Sequence, residues 1–180
     1  MEFRKLSVSI VAAGLLFMGS NAQAALTLTG WDCSNTSMVG YDDCAGSFDG
    51  NNKGNPGRVA DVAAEILADF GFAVGSSYEI SGGGLNNGVL NFGPITGVFA
   101  IALKAGDAFS LYKFDGGVSG ISSINYDTLG VGFFDNKGGL HYGQDLSHAD
   151  IYLPVPEPET YAMLLAGLGL LGFSLRNKKA

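Results

Sequence analysis

The chain has 180 residues, 28 of them glycine, and a formal net charge of −7. That glycine share is well above the usual ~7% but has no three-residue period, which excludes a collagen-like rod. The acidity repels phosphate backbones and anionic headgroups, so nucleic acid is not expected among the partners.

Arg4 and Lys5 precede an apolar run from Leu6 to Met18, and Ala22-Gln23-Ala24 supplies a small-x-small cleavage pattern. This is the plan of a secretory signal peptide over residues 1–24, to be removed by signal peptidase. An uncleaved N-terminal anchor fits less well, because the apolar run is short and a cleavage site lies just beyond it. The body, residues 25–154, is long enough for one domain with one core. Between Ala25 and Val155 five basic residues stand against fourteen acidic ones, a net −9.

The body opens with Leu26-Thr27-Leu28-Thr29, an alternating apolar and polar strand pattern that leads to Trp31. Cys33 and Cys44 are the only cysteines. In an exported protein they most simply form one disulfide across the polar segment between them. A structural metal site would need more ligands than two thiols. The stretch "YDDCAGSFDGNNKGN" then crowds hard oxygen ligands into a glycine-bearing loop. Asp42, Asp43, Asp49 and Asn51 make it a candidate Ca²⁺ site, against a solvated turn-rich loop that holds no ion. It is not an EF-hand, because Lys53 occupies a ligand position and Ala60 stands where the bidentate glutamate belongs. Beyond that Ca²⁺, no cofactor is expected.

One helix is predicted over residues 58–70, with Asn55 and Pro56 at its start and Gly71 as its stop. Val59, Val62, Ala63, Ile66, Leu67 and Phe70 share one face, and Asp61, Glu65 and Asp69 share the other. The acidic row reads as the solvated side of a surface helix. Val98 to Leu103 and Phe109 to Phe114 then form an antiparallel hairpin about Ala105-Gly106-Asp107, with both faces partly covered. Ile121 to Tyr126, Leu129 to Phe134 and Ala149 to Leu153 are further short strands, with "DGG" and "DNKGG" as turns. The body is therefore expected to be mainly β, a single β-sandwich or jelly-roll-like domain with one short surface helix.

No catalytic constellation is legible. The sequence has no Gly-x-Ser-x-Gly, no His-Glu-x-x-His and no phosphate-binding loop. His141 with Asp145 would make a dyad lacking a nucleophile, and His148 is expected to hydrogen-bond a neighbouring turn. The protein is not expected to be an enzyme.

The chain closes with "VPEPETYAMLLAGLGLLGFSLRNKKA". Tyr161 to Leu175 is apolar around its whole circumference, unlike a soluble helix. At 1.5 Å per residue it would reach only ~22 Å of a ~30 Å hydrocarbon core, enough for a locally thinned bilayer with basic ends snorkelling. Arg176, Lys178 and Lys179 should stay cytoplasmic. The extended Pro156-Glu157-Pro158 would then lie on the opposite, outer side beside the membrane.

This three-part ending, residues 155–180, resembles the PEP-CTERM sorting signal of Gram-negative bacteria that make exopolysaccharide. The resemblance implies recognition of Pro156, Glu157 and Pro158 by an exosortase, an integral-membrane cysteine protease or transpeptidase. The transmembrane helix is then residues 161–175 and the basic tail Arg176, Lys178 and Lys179. More loosely, "CAGSFDGN", "LKAGDAFSLYKFDG" and "LSHADIYLPVPEP" resemble the glycine-rich extracellular β-sandwich domains that often precede this signal. The resemblance implies export, transient residence in the inner membrane, and delivery to the cell surface or extracellular matrix. A structural or adhesive role in biofilm or floc, with exopolysaccharide as a partner, is one expectation. A carbohydrate-binding or Ca²⁺-dependent lectin-like module, with Trp31 and tyrosines stacking on sugar rings, is the other.

Overall fold

The computed structural model describes residues 25–80, 87–156, 164–166 and 168. The signal peptide at 1–24, Glu157 and Pro158, most of the 161–175 span and the basic tail lie outside these. Among the described residues no helix is long and apolar enough to cross a membrane. The described part of the span, 164–166 and 168, is helical, with Leu164, Leu165 and Leu168 exposed.

The body is mainly β, with one short helix. Among the described residues nine strands run in the order β1 (Asp43–Asp49), β2 (Val74–Ile80), β3 (Asn87–Ile95), β4 (Val98–Ala105), β5 (Ala108–Asp115), β6 (Ile121–Asp127), β7 (Gly132–Phe134), β8 (Leu140–Tyr142) and β9 (Leu146–Pro154). A five-stranded sheet takes the order β1-β5-β4-β9-β2, and β3-β6 and β7-β8 are separate two-stranded ribbons. All these pairings are antiparallel.

The central strand β4 explains the architecture. Phe99, Ile101 and Leu103 join Tyr112 and Phe114 of β5, Ile151 of β9, and Leu90, Ile124 and Tyr126 of the β3-β6 ribbon in one core. Ala100 and Ala102 point the other way and join Phe109, Leu111 and Phe48 against Val62, Ile66 and Phe70 of the helical segment. Side chains alternate along a strand, so large residues meet the ribbon while small ones leave room for a helix to settle close. The β4-β5 hairpin was expected from its sequence and forms as read, with both faces buried. The layers differ from a jelly-roll. The central sheet is sandwiched by a two-stranded ribbon on one face and by the helix on the other.

The helix α1 (Pro56–Glu65) starts where its sequence features place it. The Asn55 side chain accepts from the Arg58 amide at 2.8 Å, and Pro56 stands inside the first turn. It continues as a π-helical turn, Ile66–Phe70, and ends at Gly71. Val62 and Ile66 are wholly buried, whereas Val59 and Leu67 are about half exposed. Extra turn width beyond Glu65 rotates Leu67 out of the predicted apolar face while keeping Phe70 in it.

Three expectations are corrected. Leu26 to Thr29 is no strand of its own; it makes a single bridge, Leu28 to Phe48, along the outer edge of β1. The segment expected as a ligand-bearing loop contains β1. A register irregularity between Ala45 and Phe48 breaks its alternation, which hides a strand in a run of Asp, Gly and Ser. Of the strand expected over Leu129 to Phe134, only β7 forms, and its partner β8 was not foreseen.

Candidate functional site

Cys33 and Cys44 are joined, with Cα atoms 6.0 Å apart. The bridge ties the segment ahead of β1 to β1 itself, and Tyr112 beneath it donates to the Cys33 carbonyl at 3.1 Å. The Asp32 carboxylate lies close to both sulfurs, but sulfurs bonded to each other offer no thiolate to a metal. Asp32 instead accepts from the Ser34 amide at 2.8 Å, and that bond holds its carboxyl below the usual range.

Asp42, Asp43, Asp49 and Asn51 are not gathered. Asp43 opens β1 opposite Lys113, and Asp49 closes it opposite Ala108. At about 3.3 Å per residue these ends are roughly 15–20 Å apart, far beyond the span of one coordination sphere. Asp42 stays with the first end, its amide bonded to the Lys113 carbonyl. Asn51 stays with the second, accepting from the Lys53 amide at 3.4 Å.

His141 pairs with Asp135 at 3.1 Å rather than with Asp145. That bond comes first among the causes that hold the Asp135 carboxyl low, ahead of the Gly139 and Lys137 amides. His148 Nε2 lies 2.9 Å from Asn52 Oδ1, in the 50–55 loop far away in sequence. Asn52 is fully buried and its amide donates to Asp150 at 2.6 Å and to the Tyr152 hydroxyl at 3.1 Å. With both amide hydrogens directed there, Asn52 Oδ1 accepts, and the proton sits on His148 Nε2. Burial first, then the Lys53 ammonium, pushes the His148 pKa down. Lys53 bridges to Glu79 and lies 3.7 Å from Asp150. The cluster fastens the 50–55 loop, and through it the start of α1, to β9. Both histidines are thus engaged by carboxylate or amide partners.

Two features face outward. The first is the exit of the chain. β9 lies inside the sheet between β4 and β2, and Pro154 is still in register with Val74. The Val155 amide donates to the Ala73 carbonyl at 2.9 Å. A Cβ on Gly75 would come within 2.8 Å of the Val155 Cα, so only glycine lets the two backbones approach this closely. Pro156 comes next, on a cleft of about 860 Å³ lined in part by Phe72, Ala73, Thr96 and Val98.

A family model for the PEP-CTERM protein-sorting motif matches residues 154–179. This chain carries a PEP-CTERM motif. The motif is the recognition signal of exosortase, and it implies exosortase-dependent sorting of an exported, transiently membrane-anchored protein. No curated protein and no solved structure matches the chain. The PEP-CTERM match begins on Pro154, the last residue of β9, so sheet and sorting motif share a residue with no linker between them.

The second outward feature is the β7-β8 ribbon. Gly132 pairs with Tyr142, Phe133 with His141, and Phe134 with Leu140. Phe133 and His141 stack at 5.1 Å on the inner side, where Phe133 packs on the core. Gly132, Phe134, Leu140 and Tyr142 share the opposite side by alternation. Trp31 lies across Gly132, where a Cβ would come within 2.7 Å of the indole. Tyr142 stacks on Trp31 at 5.0 Å with planes 23° apart, and Trp31 Nε1 donates to the Leu129 carbonyl at 2.8 Å. Tyr142 is 51% exposed and Phe134 49%. Of this group, the sequence alone points to Trp31 and the tyrosines as rings able to stack on sugars, and to His141 as half of a dyad, but not to Phe134 or to the pairing of the two arms. The signal for that pairing is "GFFDNKGGLHY", two three-residue arms around a turn that the sequence does show.

Proposed function

We propose that this is an exported protein that an exosortase sorts to the cell surface or the exopolysaccharide matrix, where the body acts structurally or adhesively in biofilm or floc, without catalysis. The observation that carries the sorting part is the motif match beginning on the last residue of β9. A folded body attached without a linker brings its 71–73 and 96–98 end against the membrane-embedded enzyme that reads Pro156, Glu157 and Pro158. Signal peptidase acts first, the span at 161–175 holds the chain in the inner membrane, and Arg176, Lys178 and Lys179 stay behind in the cytoplasm. The acidic surface, net −9 over the body, favours a hydrated matrix over nucleic acid.

Replacing Pro156 and Pro158 together with alanine should leave the protein in the inner membrane with residue Ala180 intact, measured by fractionation and intact mass. Unchanged release into the medium would overturn the sorting reading. A carbohydrate-binding role for the body is a second reading, and the exposed aromatic ribbon is what favours it. It draws on no Ca²⁺ at Asp42, Asp43, Asp49 and Asn51, which β1 holds apart.

A further inference from the structure

We propose that the outer side of the β7-β8 ribbon is a binding site for a neutral polysaccharide, with Tyr142, Trp31 and Phe134 as its stacking platform. The inference rests on the second reading above and gives that reading an address. Two half-exposed aromatic rings, Tyr142 and Phe134, stand on one side of a three-residue ribbon, with Leu140 at 37% exposure beside them. Neighbouring same-side positions on a strand are roughly 7 Å apart. The rings are held in place from beneath: Trp31 is pinned by its hydrogen bond to Leu129 and by its seat on Gly132, and Tyr142 leans on Trp31. Rigid aromatic rings with few rotatable bonds lose little entropy on binding.

The rim identifies the occupant. Beside Phe134 opens a cavity of about 270 Å³ whose polar lining is Thr27, Thr29, Asp49 and Asn136, with Leu28 and Phe133 as its apolar walls. This is close to the roughly 300 Å³ at the small end of ligand sites, a size suited to one sugar ring. Thr29 is committed, donating to the Gly132 carbonyl at 2.7 Å. The Thr27 hydroxyl, the Asp49 carboxylate and the Asn136 amide make no side-chain hydrogen bond among the described residues. A ligand that pairs C–H faces with aromatic rings and hydroxyls with amide and carboxylate groups is a carbohydrate. A lipid or apolar peptide would bury Asp49 and Asn136 without partners, which is costly. Acidic polysaccharides are disfavoured by Asp49 and by the net −9 of the body.

Trp31 is the sole tryptophan, so its emission reports on the site directly. The test titrates the full-length chain, in a detergent without a sugar headgroup, with cellohexaose, maltohexaose and polygalacturonate. A saturable change in Trp31 emission with at least one neutral hexamer is expected, and none with polygalacturonate. Tyr142→Ala should weaken binding about tenfold, while Tyr142→Phe, which keeps the ring, should retain it. Tyr78→Ala, at an exposed ring on edge strand β2, should change nothing. No emission change with either neutral hexamer, preference for polygalacturonate, or binding untouched in both Tyr142→Ala and Phe134→Ala would overturn the proposal. So would a concentration-dependent dimer abolished by Tyr142→Ala, which would make the platform a contact between copies. Release from the membrane depends on Pro156 and Pro158 and is scored separately, so failure here leaves the sorting reading standing.

Discussion

The β4-β5 hairpin and the β7-β8 ribbon are both antiparallel pairs rich in aromatic residues, yet their rings meet opposite surroundings. In the first, Phe99, Phe109, Tyr112 and Phe114 are almost wholly buried, because the helix covers one face and the β3-β6 ribbon the other. In the second, only Phe133 packs on the core, and Tyr142 and Phe134 meet solvent. The rings are chemically alike. What separates a core aromatic from an exposed one is how many layers the chain stacks over its strand.

The largest expected effect sharpens this contrast. Phe109→Ala should cost about 3–5 kcal/mol in denaturant unfolding, because it leaves a cavity between β5 and the helix that the packing cannot close. Phe134→Ala should cost no more than about 1 kcal/mol, since its ring is half in water already. Equal losses at the two positions would break the comparison. Of intermediate size is the disulfide. Reducing Cys33–Cys44, or replacing both with serine, should lower stability by about 2–3 kcal/mol through the freedom returned to the unfolded chain. Because the bridge holds the segment leading to Trp31, reduction should also shift the Trp31 emission before global unfolding.

The smallest effect concerns the polar cluster that ties the start of the helix to β9. The His148 pKa is lowered from 6.5, so the unfolded chain takes up its proton first as pH falls. The contribution of this residue is complete above pH 6.5 and is lost as pH drops through its lower folded value. The Tm should therefore step down as pH is lowered from neutral through that window. In His148→Gln, whose amide still donates to Asn52 but does not titrate, that step should vanish. Asp127 shifts for different reasons. Burial raises the Asp127 carboxyl, but hydrogen bonds from Ser37, Thr36 and Leu129 outweigh it and leave it below the usual range.

How far the fold could be read from the sequence varied with how local its causes were. The β4-β5 hairpin was legible because two apolar arms flank a Gly-Asp turn. The helix was legible because its cap, proline and glycine stop are neighbours in the chain. The strand β1 was not, because an irregularity between Ala45 and Phe48 disrupts its period and its polar residues imitate a ligand loop. The partnership of His148 with Asn52, 96 positions away, has no local signature at all. His141 illustrates the same limit at short range. Asp135 and Asp145 are similarly placed in sequence, and only the turn of the ribbon decides for Asp135.

By itself the sequence determined that this protein carries a sorting motif, because the match rests on the order of residues along 154–179 and on no tertiary contact. It also determined the disulfide and the central hairpin, whose causes lie in composition and in short spacing. Only the tertiary structure decided that Trp31 would meet Tyr142, that the acidic residues of β1 would be held apart, and that β9 would run without a linker into the motif. Those outcomes depend on which strands pair and which faces are covered, and pairing is settled by the burial of the whole chain at once.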